Sequence, residues 1–163
     1  MQEIREELDL IEDEAEIETG LIHLQREEFH KAIDIFEKLL KKYDNFWELK
    51  YFLGASYKGI GDFENAIDLF YEALDLNSGE LEIYNELGIC LVNVGKIKEA
   101  IKVFTEGIEN VGNDYKLLFN RGLCYLQLEE LNKAYEDISI AASLNPEDKT
   151  IKAQKEVLDK LTK

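Results

Sequence analysis

His23 and His30 flank Glu27, with four residues from His23 to Glu27 and three from Glu27 to His30. On one unbroken helix this i, i+4, i+7 spacing would set two imidazoles and a carboxylate on one face, a donor set suited to zinc. Cys90 and Cys124 are the two thiols and lie 34 residues apart; as thiolates they would support redox or nucleophilic chemistry. Gly59-Ile60-Gly61 has the first two glycines of a phosphate-cradling loop. No strand pattern precedes it and the third glycine is missing, so it does not read as a nucleotide site. The 35 Asp and Glu residues are raw material for acid–base work, but they fall on helical surface patterns without a defined partner in a cleft. No Ser/His/Asp set fits a hydrolase motif. The residues therefore predict no catalytic site, no cofactor and no enzyme.

These groups sit on a chain of 163 residues, one domain at about 150 residues per domain. Its 45% hydrophobic content is enough for a core. The formal net charge of −16 opposes any net attraction to phosphate, which argues against nucleic acid as a partner. Two cysteines exclude a disulfide scaffold. The N-terminus, MQEIREELDLIEDEAEIE, is acidic and has no continuous apolar segment of the secretory type. No run reaches the 18 or more apolar residues of a membrane span. The expectation is a cytoplasmic protein with no membrane partner.

The chain repeats itself at a period of 34. Gly20, Gly54, Gly88 and Gly122 fall in register, as do Ala32, Ala66, Ala100 and Ala134, and Phe36, Phe70, Phe104 and Ile138. Ile33, Ile67, Ile101 and Tyr135 follow the alanines by one place; Phe29, Phe63, Ile97 and Leu131 precede them by three. The units are 13–46, 47–80, 81–114 and 115–148, each with two apolar stripes of helical period and a short turn between them. In the second unit, helix A is expected near 47–60 and helix B near 64–77. Gly61 and Asp62 lie between them, one ending a helix and the other capping the next. A mid-helix glycine costs about 1 kcal/mol relative to alanine, so its retention in every unit predicts close helix–helix approach, with the alanines serving the same end on helix B and the aromatic column filling the space between repeats.

These columns resemble the tetratricopeptide repeat. Leu53-Gly54, Tyr57, Gly61, Ala66, Phe70 and Ala73 carry the signature in the second unit; Tyr84, Leu87-Gly88, Leu91, Gly95, Ala100, Phe104 and Gly107 in the third; Gly122, Tyr125, Ala134, Ala141 and Pro146 in the fourth. The first is degenerate, with Glu16, Thr19 and His23 at its first three signature positions. The resemblance implies an all-α fold, a right-handed superhelical α-α solenoid of antiparallel helix pairs, and a protein-binding role. Residues 1–12 would extend the first helix backwards to about residue 3, with Ile4, Leu8, Ile11 and Ala15 as one stripe. Residues 149–163 would form a capping helix with Ile151, Val157, Leu158 and Leu161 against the last repeat and lysines outward. Charge is uneven: residues 1–20 carry a net −8 and residues 149–163 a net +3, which reads either as solvated helix faces or as head-to-tail contact between copies.

His23 falls in the core-facing column of Tyr57, Leu91 and Tyr125, and His30 lies beyond the turn, so no metal site is expected. Cys90 and Cys124 occupy one column on neighbouring parallel helices, whose axes pack about 8–10 Å apart; a disulfide needs Cα atoms within about 7 Å. Both read as small buried residues.

The resemblance also implies that helix A side chains line a groove. On the first helix A these are Ile17, Leu21 and Leu24; on the second, Glu48, Tyr51, Phe52 and Ala55; on the third, Glu82, Asn85, Glu86, Ile89 and Val92; on the fourth, Lys116, Phe119, Asn120, Leu123 and Leu126. The positions that form a dicarboxylate clamp for chaperone C-termini in one branch of the family hold Tyr51, Ala55, Glu86, Lys116 and Asn120 here, and the register one unit earlier fares no better, so that ligand is rejected. An apolar floor with an acidic margin suits a peptide or amphipathic helix with apolar anchors and basic residues. The expected function is a protein-interaction module, adaptor or scaffold, with Tyr51, Phe52 and Phe119 as anchors. Two other readings use the same surface: a secretion-type chaperone shielding an apolar client segment, and a self-assembling structural protein, a homo-oligomer. A further alternative is that the extended N-terminal helix or another copy covers the floor.

Overall fold

The computed structural model describes the backbone from Gln2 to Leu161 and the side chains from Asp13 to Leu161. Its described residues form helices joined by short turns: α1 (Gln2–Gln25), α2 (Phe29–Leu40), α3 (Trp47–Gly59), α4 (Phe63–Leu76), α5 (Leu81–Asn93), α6 (Ile97–Val111), α7 (Tyr115–Gln127), α8 (Leu131–Leu144) and α9 (Lys149–Leu161). No strand occurs among the described residues. α1 does reach back past Asp13; the side chains of Ile4, Leu8 and Ile11 lie outside the described residues. No helix among the described residues is long and apolar enough to cross a membrane. The helices cluster into two compact units, Met1–Asn77 and Ser78–Lys163.

In the first unit, α1 packs on α2, α2 on α3 and α3 on α4. The core between them is Ala32, Ile33, Phe36, Leu39, Leu49 and Leu53. In the second, α5 packs on α6, α6 on α7, α7 on α8 and α8 on α9. Tyr84, Leu87, Leu91 and Phe104 are buried in its first half, and Leu118, Ile138, Ala141, Ile151 and Leu158 form the cluster of its second. The Tyr84 hydroxyl is satisfied there: it donates to the Ser78 carbonyl at 3.0 Å and accepts from Asn110 Nδ2 at 2.6 Å.

The glycine column explains the helix pairs. A Cβ on Gly20 would sit 2.7 Å from the Phe36 ring, on Gly54 2.9 Å from Phe70, on Gly88 2.2 Å from Phe104 and on Gly122 2.7 Å from Ile138. The expected close approach is real, but the large-residue column works differently from the sequence reading. Each ring fills the space inside its own pair, beneath the glycine sixteen residues earlier. Phe36 then reaches onward, with its ring stacked on Phe52 at a centroid distance of 5.6 Å. Ala32, Ala66, Ala100 and Ala134 are fully buried, where a larger side chain would part the helices.

The turns inside the pairs share one geometry. Residues 27, 61, 95 and 129 have φ of 59°, 81°, 77° and 61°. Glycine takes this left-handed conformation without a Cβ penalty, and the second and third pairs have Gly61 and Gly95; the first and fourth have Glu27 and Glu129. Asp62 then caps α4 by accepting from Asn65 N, and Asp148 Oδ1 caps α9 by accepting from the amides of Thr150 and Ile151 at 2.8 and 3.0 Å.

α9 corrects one expectation. Ile151 and Leu158 are buried against the preceding helices, but Val157 is 49% exposed and Leu161 60%. Positions 151 and 158 share a face at 3.6 residues per turn, whereas 153, 157 and 161 lie on a second face. Where the other helix A elements have glycine, α9 has the exposed Glu156.

Candidate functional site

In the first unit, α1 carries Ile17, Leu21 and Leu24, and α3 carries Glu48, Tyr51, Phe52 and Ala55, all half-buried. Ile17, Leu21, Leu24 and Phe52 pack against the core beneath. Phe52 meets Tyr51 edge-on at 5.6 Å, and Tyr51 is tilted on Phe70 at 5.8 Å. Tyr51 and Phe52, two of the three expected anchors, thus rest on Phe70 and Phe36 respectively.

The sequence reading missed a cavity of about 290 Å³ beside them, lined by Asp13, Glu14, Ile17, Tyr43, Phe46 and Leu49. Phe46, in the α2–α3 connection, is 53% exposed and meets Tyr43 edge-on at 5.5 Å. Tyr43 and Lys42 both donate to Asp13. These bonds, from Lys42 first and then Tyr43, hold the Asp13 carboxyl below its ordinary value, and the Asp13 bond raises both the Tyr43 phenol and the Lys42 ammonium. The groove columns of helix A could not show Tyr43 or Phe46; the signal was the aromatic run Tyr43, Phe46, Trp47 at a connection that should be polar.

In the second unit, α5 and α7 bring together residues from both helices. Lys116 Nζ donates to Glu82 Oε1 at 2.6 Å. Asn85 is buried rather than groove-exposed and accepts from Asn120 Nδ2 at 2.8 Å. Glu86, Ile89 and Val92 on α5 and Phe119, Leu123 and Leu126 on α7 are half-buried. A cavity of about 110 Å³ opens among Ile89, Val92, Asn93, Phe104, Asn120, Leu123, Cys124 and Gln127. The sequence reading did not single out Asn93 or Gln127. It also stopped its columns at the fourth unit. Carried one period further, the columns of Phe119, Leu123 and Leu126 give Ala153, Val157 and Lys160 on α9, all exposed. The apolar floor is correspondingly less open than the sequence suggested: its large side chains stand half-buried because each also seals the helices beneath.

The residues that suggested other chemistry are otherwise engaged. His23 Nδ1 pairs with the Glu28 carboxylate, which also accepts from Lys31 at 3.1 Å; these bonds, His23 first, hold Glu28 below its ordinary value. His23 is therefore half-buried and paired rather than a core residue. Glu27 occupies the left-handed turn and His30 is exposed on α2. Among the described residues no three His, Cys, Asp or Glu are grouped to hold a metal ion. Cys90 and Cys124 are buried thiols that form no disulfide, and burial pushes Cys124 up to about 11, so it stays protonated at neutral pH and is a poor nucleophile.

A charged group the sequence reading also missed crosses α6, α7 and α8. Arg121 donates to Asp137 through Nε and Nη2 and to Thr105 Oγ1 through Nη1, at 2.7, 2.8 and 3.0 Å. The Asp137 bond raises the guanidinium further. The signal was present: Arg121 falls in the column of Leu53 and Leu87, and Asp137 in that of Ile35, Leu69 and Val103, so two charges enter two apolar columns in the same unit.

Repeated helix pairs with half-buried apolar side chains along one face of every helix A define a helical-repeat, protein-interaction class of protein. Three models of the tetratricopeptide repeat match residues 17–80, 60–118 and 115–148, and the chain belongs to the tetratricopeptide-repeat family, whose members generally act as non-catalytic scaffolds. Among solved structures, MamA (41-end) from Desulfovibrio magneticus RS-1 superimposes with a TM-score of 0.82 at 20% identity, over 92% of this chain and 85% of that one. PilF of Pseudomonas aeruginosa gives 0.78 at 21% identity, over 90% and 67%. YrrB, described as a TPR protein with an unusual peptide-binding site, gives 0.79 at 27% identity, over 92% and 77%. No curated protein sequence matches the chain.

Proposed function

We propose that the protein is an adaptor or scaffold that binds a peptide or amphipathic helix on its helix A faces. The observation that carries this is the set of large apolar side chains left half-buried in register, Ile17, Leu21, Tyr51 and Phe52 in one unit and Ile89, Phe119 and Leu123 in the other. A family built to stack helices can bury such groups fully, as it does Leu53, Leu87 and Leu118 here; keeping them at the surface suits an interaction face. The likeness to YrrB, at 27% identity, supports a peptide as ligand. The net charge of −16 favours a protein partner over nucleic acid.

The test is affinity capture with the wild type and with the Tyr51→Ala, Phe119→Ala double variant, after thermal melts show both folded. We expect bound partners to be lost from the double variant; unchanged capture overturns the assignment. A second reading, self-association, rests on the net −8 of residues 1–20 against the net +3 of residues 149–163, with Val157 and Leu161 exposed in the latter. Light-scattering mass across concentration and salt separates the two: a constant monomer mass excludes self-association, and a salt-sensitive rise supports it.

A further inference from the structure

α9 has two apolar faces, and only the one with Ile151 and Leu158 is buried. The second leaves Ala153, Val157 and Leu161 exposed, with exposed Lys149 and Lys160 beside them. Neither lysine enters an ion pair among the described residues. The first unit carries the complementary chemistry. Its cavity of about 290 Å³ is walled by Ile17, Tyr43, Phe46 and Leu49, and Phe46 is 53% exposed. Asp13 in that wall already accepts from Lys42 and Tyr43, but Glu14 lines the cavity too, and Asp44 and Glu48 flank Phe46 two residues away on either side. These three carboxylates have no ion-pair partner among the described residues. We propose that α9 of one copy docks on this cavity in the first unit of a second copy, with Val157 and Leu161 entering it and Lys149 and Lys160 meeting the carboxylates. The inference rests on the self-association reading and names the two surfaces that meet.

Size, charge and symmetry each support a second copy as the occupant. The cavity of about 290 Å³ exceeds the ~150 Å³ void that takes up a benzene ring, so it has room for two aliphatic side chains. Val157 and Leu161 lie one turn apart, the spacing at which helical side chains are neighbours. At about 3.6 residues per turn, positions 149 and 160 fall on the strip adjoining 153 and 157. The helix can therefore bury its apolar strip while the lysine heads stay at the wet rim. Residues 149–163 carry a net +3 and residues 1–20 a net −8, which attracts the two surfaces to each other. Two cavities face to face would set carboxylate against carboxylate, and two α9 helices lysine against lysine, and both arrangements are repulsive. The contact is therefore heterologous. It leaves one cavity and one α9 open in every pair, and growth continues unless the rotation closes a ring.

The test uses two variants of the full chain, changed only at exposed positions and shown folded by thermal melts. The cavity variant is Glu14→Lys with Phe46→Ser. The helix variant is Val157→Gln with Leu161→Gln, which keeps good helix formers in α9. For the wild type we expect light-scattering mass to rise past a dimer with concentration, and the rise to move to about tenfold higher concentration in high salt. Each variant alone should stay monomeric. Their equimolar mixture should form a dimer and nothing larger, because the cavity variant keeps its α9 and the helix variant keeps its cavity. A mixture that stays monomeric overturns the inference. Wild-type association that either variant retains also overturns it, and leaves the self-association reading on another surface. A wild type that is monomeric throughout removes this inference and the self-association reading together, while the adaptor reading is still decided by its own capture experiment.

Discussion

Arg121 and Asp137 form a two-bond ion pair across α7 and α8, with N–O distances of 2.7 and 2.8 Å and side-chain exposures of 17% and 6%. They stand where the preceding pairs place Leu53 and Leu69, or Leu87 and Val103. One unit thus replaces an apolar contact between its two helices with a charged one. Removing one partner leaves the other desolvated, which costs about 3 kcal/mol. We expect Asp137→Val alone to destabilise by about that much in urea unfolding. Arg121→Leu combined with Asp137→Val should return to wild-type stability or exceed it. A double variant as unstable as the single would show that the pair contributes more than the leucine–valine contact it replaces.

The left-handed turns give a prediction of the opposite sign. Glu27 and Glu129 occupy a conformation that the second and third pairs assign to Gly61 and Gly95. A side chain there costs about 1–2 kcal/mol, part of which glycine returns through unfolded-state entropy. Glu27→Gly and Glu129→Gly should each stabilise by about 0.5–1 kcal/mol, and Gly95→Ala should destabilise. Thermal melts of the three variants decide it, and a lower midpoint for either glycine variant would contradict the strain argument.

The glycine column predicts a graded series. Alanine at position 88 would bring Cβ to 2.2 Å from the Phe104 ring, against 2.7 Å from Ile138 Cγ1 for position 122. Overpacking of this kind costs about 1–3 kcal/mol. Gly88→Ala should fall at the top of that range and Gly122→Ala at the bottom, with Phe104→Leu recovering part of the loss in the Gly88→Ala background. Equal losses at the two sites in denaturant titrations would show that ring contact does not set the cost.

Tyr57 supplies a pH dependence at the alkaline end. Its hydroxyl donates to Glu37 Oε1 at 2.6 Å, and that bond first, with burial second, pushes the phenol up to about 12. A raised folded-state value means stability fully present below the ordinary value near 10.0 and lost as pH rises towards about 12. Phenolate absorbance should show Tyr57 ionising late, as Tyr43 and Tyr84 also do, and Glu37→Gln should move the Tyr57 step alone back towards the ordinary value. The acid end has the reverse sign. Asp13 is held below its ordinary 3.8, so its contribution is present above 3.8 and is lost as pH falls through the lower folded value. Asp13→Asn should flatten the acid limb of Tm against pH.

The fold was legible because its packing rule is local and periodic. Gly54 opposite Phe70 recurs as Gly88 opposite Phe104, and a steric fit repeated in register leaves a trace in sequence that no single contact does. Tyr43 and Phe46 escaped because they lie in a connection, outside both helical periods. Val157 and Leu161 were assigned to the buried side because a capping helix was assumed to have one apolar stripe; helical geometry divides its apolar residues between the 151/158 face and the 153/157/161 face. Asn85 has the register of a groove residue, but a short polar side chain beside Asn120 gains more from that bond than from water, and only the side-chain packing shows this.

Glu156 follows Gly20, Gly54, Gly88 and Gly122 in the helix A column. A Cβ on any of those four glycines would fall within 2.9 Å of the side chain facing it in its own helix pair, whereas the Glu156 side chain is exposed. The same column therefore seats a neighbour's side chain in four helices and meets water in α9.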